Sequence, residues 1–518
     1  MGRSSARADG GGSRGGPSAG AAGAGHARDA RRTDARTECA AGRAARDRRD
    51  AAMMRRSSHA GLMLCATALG CGGCAVDEAA EVAEYRTVLG EAPVPAATSM
   101  EPLTVQESMR LASVFNEALD IEGEEYVQAL IERRRAAAAF LPTIALAPSY
   151  QFREGTPTGV AADFDVPATL TMEFNPVSDR EAIAAREMEI MQRRALLRDA
   201  QDALLLDTAR AHYEALRAER AVEVIRNSLA VQNERVNDAR GRLEAGVVSP
   251  LDLSLSEAQA AQTAVDLLSA TNQLRIARRV LSFLTVSDAE HRPLADSLEV
   301  PGELPSLEAM CERAAGARQD LLAADRAIDV AAAEVREAYG RYFPSISLDL
   351  QVFMHRESDP ESLDWAGLIR LSLPLFSAGL IEADVRDALS RLRQARSARS
   401  LLWRAIRHDI EIAAGNLEDA TRRVDQLRIQ VSSAAAALEQ AEGLYEVGLA
   451  TNLERLAAQQ QLLSAELQLV SAELDRKVFL LDLMRASGTI RAAAGIPEEA
   501  NSERAQAQGA GGDDAGAG

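Results

Sequence analysis

The sequence is poor in the residues that build reactive centres and thick hydrophobic cores. Its 518 residues include five cysteines, six histidines, two tryptophans and a single lysine, Lys477. Aromatic residues make up only 4% of the chain. Because large aromatic side chains fill much of a globular core, this shortage favours thin layers of Ala- and Leu-rich helices. No apolar run reaches the roughly twenty residues that a membrane-spanning helix needs.

The cysteines and histidines do not have the spacing of a reactive or metal site. The sequence contains no nucleophile beside a base, no metal-ligand spacing and no glycine-rich phosphate loop. Cys311 has no obvious disulfide partner and is typical of a small buried side chain. The sequence therefore predicts a protein that is not an enzyme and that uses no cofactor or metal ion.

Negative charge dominates the chain, whose formal net charge is −19. Beyond residue 56 there are 45 basic and 71 acidic residues. Binding to nucleic acid depends on basic side chains that displace counterions from the phosphates. The charge balance therefore argues against a nucleic-acid partner.

The amino-terminal part reads as an extension followed by an export signal. Residues 1–52 are rich in Gly, Ala, Ser and Arg without a hydrophobic period, which predicts a disordered or mis-annotated extension. Residues 53–71 combine a charged start with a short apolar run that ends at a cysteine, the pattern of a signal peptide. Residues 72–102 are predicted to be a linker.

The end of this signal resembles a bacterial lipobox. It reads Ala-Leu-Gly-Cys and ends at Cys71, whose thiol would carry the lipid; Cys74 is a second candidate. An ordinary cleaved signal that happens to end near a cysteine is the alternative.

The most regular pattern lies between Val424 and Leu474. Apolar or small residues recur there at alternating gaps of three and four, which is typical of a coiled-coil seam. The pattern is interrupted once, around Gly448, where glycine can adopt a left-handed cap. We therefore expect two helices that form a hairpin with a tight tip. The seam positions are Val424, Leu427, Val431, Ala434, Leu438, Ala441, Tyr445, Leu453, Leu456, Gln460, Leu463, Leu467, Val470 and Leu474.

The same pattern occurs 202 residues earlier, with Gly246 at the tip. An internal repeat of this length indicates one architecture written twice. We assign residues 103–286 to a first repeat, 287–304 to a linker, 305–490 to a second repeat and 491–518 to a disordered tail. The earlier seam comprises Val222, Ile225, Leu229, Gln232, Val236, Ala239, Leu243, Leu251, Ala258, Val265 and Leu268.

Each repeat predicts a helix, a pair of strands and a long helical hairpin. The first helices, over 103–139 and 306–341, end before prolines, and Thr104 with Glu107 forms a candidate capping box in the first. Period-two alternation over 144–151 and 345–353 predicts strands. Polar loops are expected over 153–165 and 355–364, and return strands over 168–174 and 368–376. Uninterrupted helical patterns then cover 182–245 and 381–447, each roughly 100 Å long, and return over 251–284 and 453–484.

The strands have one apolar and one polar face, which leaves two interpretations. They could form a small sheet packed on the helices. Alternatively, they could form a barrel wall with its apolar side toward lipid and polar side chains such as Gln151, Asp349 and Arg370 toward an aqueous lumen. Two hairpins give four strands, too few to close a barrel and with edges open to further pairing. Three copies would supply about twelve strands and leave no edge.

These landmarks together resemble the TolC family of outer-membrane efflux proteins over residues 103–490. The most specific string is Leu-Ser-Leu-Pro-Leu-Phe-Ser-Ala-Gly, residues 371–379; Phe140-Leu141-Pro142 and the two tips accompany it. The resemblance implies a mainly α fold with transmembrane β: a trimeric twelve-stranded β-barrel continued by an α-helical tunnel across the periplasm. The first repeat departs from the string, because Ser178 aligns with Gly379 and Glu173 with Pro374.

The resemblance also assigns candidate site residues. Gly246, Val247, Gly448 and Leu449 match tip positions that dock a periplasmic adaptor protein, although the glycines could simply turn the chain. Asp252 and Tyr445 match members of a latch between the hairpins, and Glu454 matches an acidic ring at the mouth. Two departures concern the latch and the ring. Ala450 stands where the best-known member has a latch arginine, and Ala457 stands where it has a second acid. Arg455 adjoins Glu454 and is expected to neutralise it locally.

The function implied is a passive exit duct in the outer membrane, lipid-anchored and with its helical part in the periplasm. It would serve a tripartite efflux pump or a type I secretion system, with an adaptor and an inner-membrane pump as partners. The competing hypotheses are a periplasmic adaptor and a structural coiled-coil scaffold. Selectivity for the substrate would reside in the pump.

Overall fold

The computed structural model describes residues 78–90, 102–156, 159–358 and 363–496. The predicted extension, the signal peptide and the two candidate lipidation sites, Cys71 and Cys74, lie outside these ranges.

Within the described ranges the chain is mainly helical. The helices are α1 Glu78–Leu89, α2 Val105–Phe115, α3 Glu117–Ala138, α4 Ser178–Glu244, α5 Pro250–Thr285, α6 Leu307–Ala317, α7 Gln319–Gly340, α8 Leu380–Glu446, α9 Asn452–Ala486 and α10 Ile490–Ala493. The strands are β1 Leu103–Thr104, β2 Thr143–Leu146, β3 Ser149–Thr156, β4 Gly159–Phe174, β5 Leu294–Ala295, β6 Ser345–His355 and β7 Trp365–Ser372.

Each predicted first helix is in fact two helices, so the prediction of one continuous helix is wrong. Asn116 separates α2 from α3 in an extended conformation, with φ −81° and ψ 122°. Its side chain accepts a hydrogen bond from the Ala118 amide at 3.0 Å and donates one to the Leu284 carbonyl at 2.9 Å. Arg318 separates α6 from α7 with similar angles. Neither residue is a proline or glycine, the usual markers of a break within a helical pattern.

Thr104 caps α2 as expected, accepting a hydrogen bond from the Glu107 amide at 3.2 Å. The Glu107 carboxylate, however, accepts from Arg292 at 2.9 Å. Arg292 belongs to residues 287–304, which also supply β5, the parallel partner of β1. This inter-repeat segment is therefore fastened to the start of the first repeat.

Residues 72–102, predicted as a linker, contain the docked helix α1. Tyr85, Val88 and Leu89 are buried in this helix because they pack on α3 and α4. The Tyr85 hydroxyl donates a hydrogen bond to Asp120 at 3.0 Å. A short helix can gain its stability from such packing, which local sequence does not reveal.

The tail prediction from residue 491 also needs correction at its start. Helix α10 continues to Ala493, and Ile490 and Ala494 are buried in the cluster formed by α2, α4 and α9. The Arg491 guanidinium lies 3.0 Å from the Asp202 carboxylate. The predicted tail beyond residue 496 lies outside the described ranges.

The two longest helices, α4 and α8, both contain 67 residues and start 202 positions apart. At 1.5 Å per residue each is about 100 Å long. Helix α5 returns along α4, α9 returns along α8, and α4 packs on α9. The four helices therefore lie side by side in the order α5, α4, α9, α8.

The predicted seams are correct on the outgoing helices and wrong on α5. Val222, Ile225 and Val236 are buried on α4, as are Val424 and Leu427 on α8. On α5 the buried stripe from the tip to Ala277 instead consists of small side chains, and larger apolar ones there face outward. The buried residues are Ser256, Ala260, Thr263, Ala270 and Ala277, followed by Leu281 and Thr285 at the end of the helix; the exposed ones are Leu251, Val265 and Leu268. Both stripes have helical spacing, so periodicity alone could not tell which one faces α4.

The other five strands form one antiparallel sheet in the order β2/β3, β4, β6, β7. Strands β2 and β3 pair with β4 in a single continuous register, as Thr143↔Thr171 and Ser149↔Asp165 show. The break between them falls at Pro148, which has no N–H to donate. The prediction of a loop over 153–165 is wrong, because pairing extends to Thr156↔Gly159. The two predicted hairpins thus supply four strands.

The register gives this sheet two chemically different faces. Residues directly opposite each other on antiparallel strands project to the same side. One face is apolar and includes Ile144, Leu170, Met172, Ile346, Leu348, Leu350, Ile369 and Leu371. The other is largely polar and includes Thr143, Thr169, Thr171, Glu173, Ser345, Ser347, Asp349, Gln351 and Arg370.

The sheet joins the helices through a close crossing of α7 over the start of α4. A Cβ atom on Gly340 would lie 2.6 Å from both the amide nitrogen and the Cα of Ser178. The Asn175 side chain donates to the Gly340 carbonyl at 3.1 Å and accepts from the amide of Ser178 at 3.1 Å. This crossing sets where the first long helix leaves the sheet.

We expect Gly340→Ala to lower the free energy of unfolding by about 2 kcal/mol, because backbone atoms cannot yield as a flexible side chain can. The control is Gly443→Ala, where nothing lies within 4 Å and the helix interior should gain up to about 1 kcal/mol. Denaturant unfolding of the detergent-purified protein measures both. Equal stability of the two variants would contradict the close crossing.

Candidate functional site

Each helical hairpin ends in a tip built on a left-handed glycine. Gly246 has φ +73° and Gly448 has φ +76°. In these turns the Val247 amide donates to the Arg242 carbonyl at 2.9 Å, and the Leu449 amide donates to the Leu444 carbonyl at 2.8 Å. A side chain would strain both glycines, although open space surrounds them.

The residue after each glycine carries an exposed apolar side chain. Val247 is 70% exposed and Leu449 is 78% exposed. With the open glycines beside them, these side chains make each tip a small apolar projection without its own packing partner. Such a projection can be buried only by contact with something outside the described residues.

The acid assigned to the latch and the acid assigned to the ring both form capping boxes in this structure. The Asp252 carboxylate accepts from the amide and hydroxyl of Ser249, at 3.1 and 2.8 Å. The Glu454 carboxylate accepts from the amide and hydroxyl of Thr451, at 2.7 and 2.9 Å. The hydrogen bond from the Thr451 amide lowers the pKa of Glu454. Both acids therefore stabilise the start of a returning helix.

Tyr445, the other residue assigned to the latch, lies against two arginine side chains. Its ring centroid is 4.2 Å from the guanidinium carbon of Arg455 and 5.7 Å from that of Arg242. Arg455 is only 5% exposed. The expectation that it neutralises Glu454 is wrong, because the side chain turns into the space between the hairpins.

Arg455 and Asn452 connect the two hairpins. Arg455 donates to the Asn452 side-chain oxygen at 2.8 Å. The Asn452 amide group in turn donates to the Asp252 carbonyl at 2.9 Å and to the Ser256 hydroxyl at 3.1 Å, both on α5. Burial lowers the pKa of Arg455, a measure of how far its charge is withdrawn from water.

A second connection lies about one turn higher. Arg235 of α4 donates to Gln459 of α9 and forms an ion pair with Glu442 of α8. We call Arg235, Tyr445, Asn452, Arg455 and Gln459 the tip network. Sequence reasoning missed three of its members, Arg235, Asn452 and Gln459, because polar residues in a helical pattern are normally assigned to a solvated face. The seven-residue spacing of Asn452 and Gln459 was the available signal.

The three residues assigned to the lumen share the polar face of the sheet. Asp349 lies opposite Thr171, Arg370 opposite Ser347, and Gln151 opposite Asp163. These pairs all align with odd-numbered positions of β4, and alternate positions of a strand project to the same side. The three side chains therefore lie on one face of the sheet.

The connections from sheet to long helix differ between the repeats. Gly379, with φ +85°, caps α8, and Ala378 before it also has a positive φ of +51°. The corresponding cap of α4 is Val177 rather than Ser178, with φ −94°. Its amide donates to the Asn175 side-chain oxygen at 3.1 Å. The turn into α4 is therefore stabilised by the Asn175 side chain, and the turn into α8 by the left-handed conformations of Ala378 and Gly379.

In the part of the chain that the structure describes, every helix falls short of the length and hydrophobicity that a membrane span requires. The same residues contain no cluster of His, Cys, Asp and Glu side chains suited to a metal ion.

The four side-by-side helices attached to a two-faced sheet resemble solved outer-membrane channels in fold. Residues 310–489 match the family described as outer membrane efflux protein. The chain is 24% identical over 399 residues to outer membrane protein TolC of Vibrio cholerae, covering 73% of this chain and 91% of that protein. It is 25% identical to outer membrane efflux protein BepC of Brucella suis, covering 69% and 79%.

Solved structures agree on the fold. The CmeC outer membrane channel of Campylobacter jejuni superposes with a TM-score of 0.67 at 16% identity, covering 81% of this chain and 94% of that one. The MtrE outer membrane channel of Neisseria gonorrhoeae gives 0.64 at 21% identity, covering 77% and 94%. The predicted resemblance to TolC-like outer-membrane efflux proteins is confirmed.

Proposed function

We propose that the protein is the trimeric outer-membrane exit duct of a tripartite efflux pump or type I secretion system. It conducts substrates passively from an adaptor and inner-membrane pump to the outside. Relatives named as outer-membrane efflux proteins support this function. The observation that carries it is the two-faced sheet with open edges, joined directly to helices of 67 residues.

The sheet supports a barrel assembled from several copies. Its apolar face is uncovered in the single chain: Ile144 and Ile369 are each 75% exposed and Leu371 is 68% exposed. Its two edge strands, β2/β3 and β7, each have a partner on one side only in the described sheet. Pairing β7 of one copy with β2/β3 of the next gives a twelve-stranded barrel in a trimer. Gln151, Asp349 and Arg370 then line the lumen.

The helical layer supports the same ring. Its outer helices, α5 and α8, carry exposed apolar side chains on the faces away from α4 and α9. Those on α5 are Val265, Leu268, Ile276, Val280 and Phe283; those on α8 are Leu401, Ile412 and Ile429. Contact between α5 of one copy and α8 of the next is heterologous and closes into a ring.

The strands of the sheet and the helices of the helical layer follow the same order, because β4 leads into α4 and β7 leads into α8. The rotation that relates neighbouring copies in the trimer therefore pairs the strand edges and the outer helix faces at the same time. A periplasmic adaptor or a structural scaffold would leave the apolar sheet face without a role.

The ends of this assembly supply its other contacts. The apolar face of the barrel meets outer-membrane lipid, and Cys71, or alternatively Cys74, carries the lipid anchor. The tips around Gly246, Val247, Gly448 and Leu449 dock the adaptor. Asp252, Tyr445 and Glu454 lie at the mouth, where the tip network holds the hairpins together.

The duct is tested by reconstituting the purified protein in planar lipid bilayers and measuring its oligomeric state. We expect discrete conductance from a trimer. A water-soluble monomer without conductance would contradict the proposed function.

Adaptor docking is tested separately with the double variant Val247→Asp/Leu449→Asp. Two charges in each copy should prevent burial of the tip projections, so cells should lose most of their efflux of a fluorescent dye. The control, Gln440→Asp, places one such charge about two turns up α8, where the side chain is exposed. Oligomers in the outer membrane should remain normal in both. Unchanged efflux in the double variant would rule out docking through these side chains.

A further inference from the structure

A groove of about 430 Å³ lies between α4 and α9, beside Leu438 of α8. Its walls are mostly aliphatic: Val224 and Val231 lie on the α4 side, and Leu462, Leu469 and Val470 on the α9 side. Pockets for small organic ligands typically have volumes of 300–1,000 Å³ and mostly apolar walls. The groove has the size and lining of such a site.

The charged groups at this groove are not balanced. Arg235 of α4 also lines it, but its guanidinium is already paired with Glu442 of α8 and bonded to Gln459. Glu466 of α9 is half-buried and, among the described residues, has neither a hydrogen-bond donor nor an ion-pair partner. Burial raises the pKa of Glu466, and no neighbouring charge offsets that effect. The groove therefore holds one uncompensated carboxylate against an aliphatic wall.

This carboxylate is specific to the second hairpin. The residue 202 positions before Glu466 is Ala264, so the first hairpin has no acid at the related position. Alanine at this position is fully compatible with a helix, so the carboxylate of Glu466 is not needed to form one.

We propose that this groove binds organic monocations with an apolar body, with the cationic group against Glu466 and the body against the aliphatic walls. A small inorganic cation would leave the apolar walls exposed to water. A neutral apolar molecule would bury the carboxylate further without pairing it, which is unfavourable. Only a ligand with both features satisfies the two sides of the groove. The site does not depend on the proposed export function.

Binding of tetraphenylphosphonium to the full-length, detergent-purified protein tests the site by equilibrium dialysis. We expect Glu466→Gln to weaken binding about fivefold, the size of effect of a partly exposed ion pair. The matched control is Glu439→Gln on α8, which removes the same charge from an exposed position outside the groove lining and should leave binding unchanged. Partition into micelles is common to all variants. Neutral triphenylphosphine oxide should bind Glu466→Gln at least as well as the wild type, because the variant no longer buries an unpaired carboxylate.

The pH profile gives a second readout. Protonation of Glu466 removes the charge, so phosphonium affinity in the wild type should fall as pH falls through its raised pKa. The Glu466→Gln profile should be flat over that range. Equal affinity of wild type and Glu466→Gln at neutral pH, or equal losses in both Gln variants, would overturn the proposal.

Discussion

Replacing Ile369 by arginine is expected to remove the protein from the outer membrane, whereas Leu368→Arg is expected to be tolerated. The two residues are neighbours on β7 but project to opposite faces. Ile369 pairs with Leu348 on the apolar face, and Leu368 pairs with Asp349 on the polar face. An arginine on the lipid side of a barrel costs about 2–4 kcal/mol at the bilayer midplane. In a trimer each of the three copies carries this cost. On the polar face, by contrast, water in the lumen can hydrate the same charge.

The measurement is the amount of heat-dissociable oligomer in the outer-membrane fraction. Ile369→Arg should reduce it at least tenfold, and Leu368→Arg should leave it within about twofold of the wild type. The exposure of the two side chains, 75% and 47%, leaves room for either substitution in the single chain. A result in which both variants assemble equally well would contradict the assignment of the apolar face to lipid.

The long helices could be predicted to within a few residues because their periodicity extends over many turns. The expected ranges 182–245 and 381–447 compare with Ser178–Glu244 and Leu380–Glu446 in the structure. The strands were identified by a shorter, period-two pattern, and their outer ends were missed. In 160–165 the residues alternate only weakly, so the polar ends of β3 and β4 resembled a loop.

The remaining differences come from contacts that join distant parts of the chain. Asn116 interrupts the first helix because its side chain bonds to the end of α5, 168 residues away. Helix α1 depends on packing against α3 and α4. At the tip, Arg455 follows Glu454 in the sequence, which suggested an ion pair between neighbours. Its guanidinium instead lies against the ring of Tyr445, which belongs to the other helix of the same hairpin. Local spacing cannot specify such partners.

Replacing Arg455 by alanine is expected to loosen the tip and raise conductance through the duct. The guanidinium contacts the Tyr445 ring and donates to Asn452, which in turn holds α5. Removing a buried, charged partner and leaving Asn452 unpaired on one side costs about 2 kcal/mol. That change corresponds to roughly a thirtyfold shift in the balance between closed and open tips in each copy.

The control for this experiment is Arg240→Ala, near the same tip. Arg240 is 53% exposed and pairs with Glu257 at 3.0 Å, within the first hairpin only. An exposed pair of this kind contributes little, so the variant should conduct as the wild type does. Single-channel recordings in planar bilayers measure both variants, and uptake of a large polar antibiotic by cells gives a parallel test. If Arg455→Ala conducts as the wild type does, the tip network is not what holds the hairpins together; if Arg240→Ala opens the duct equally, surface charge rather than the buried network governs the mouth.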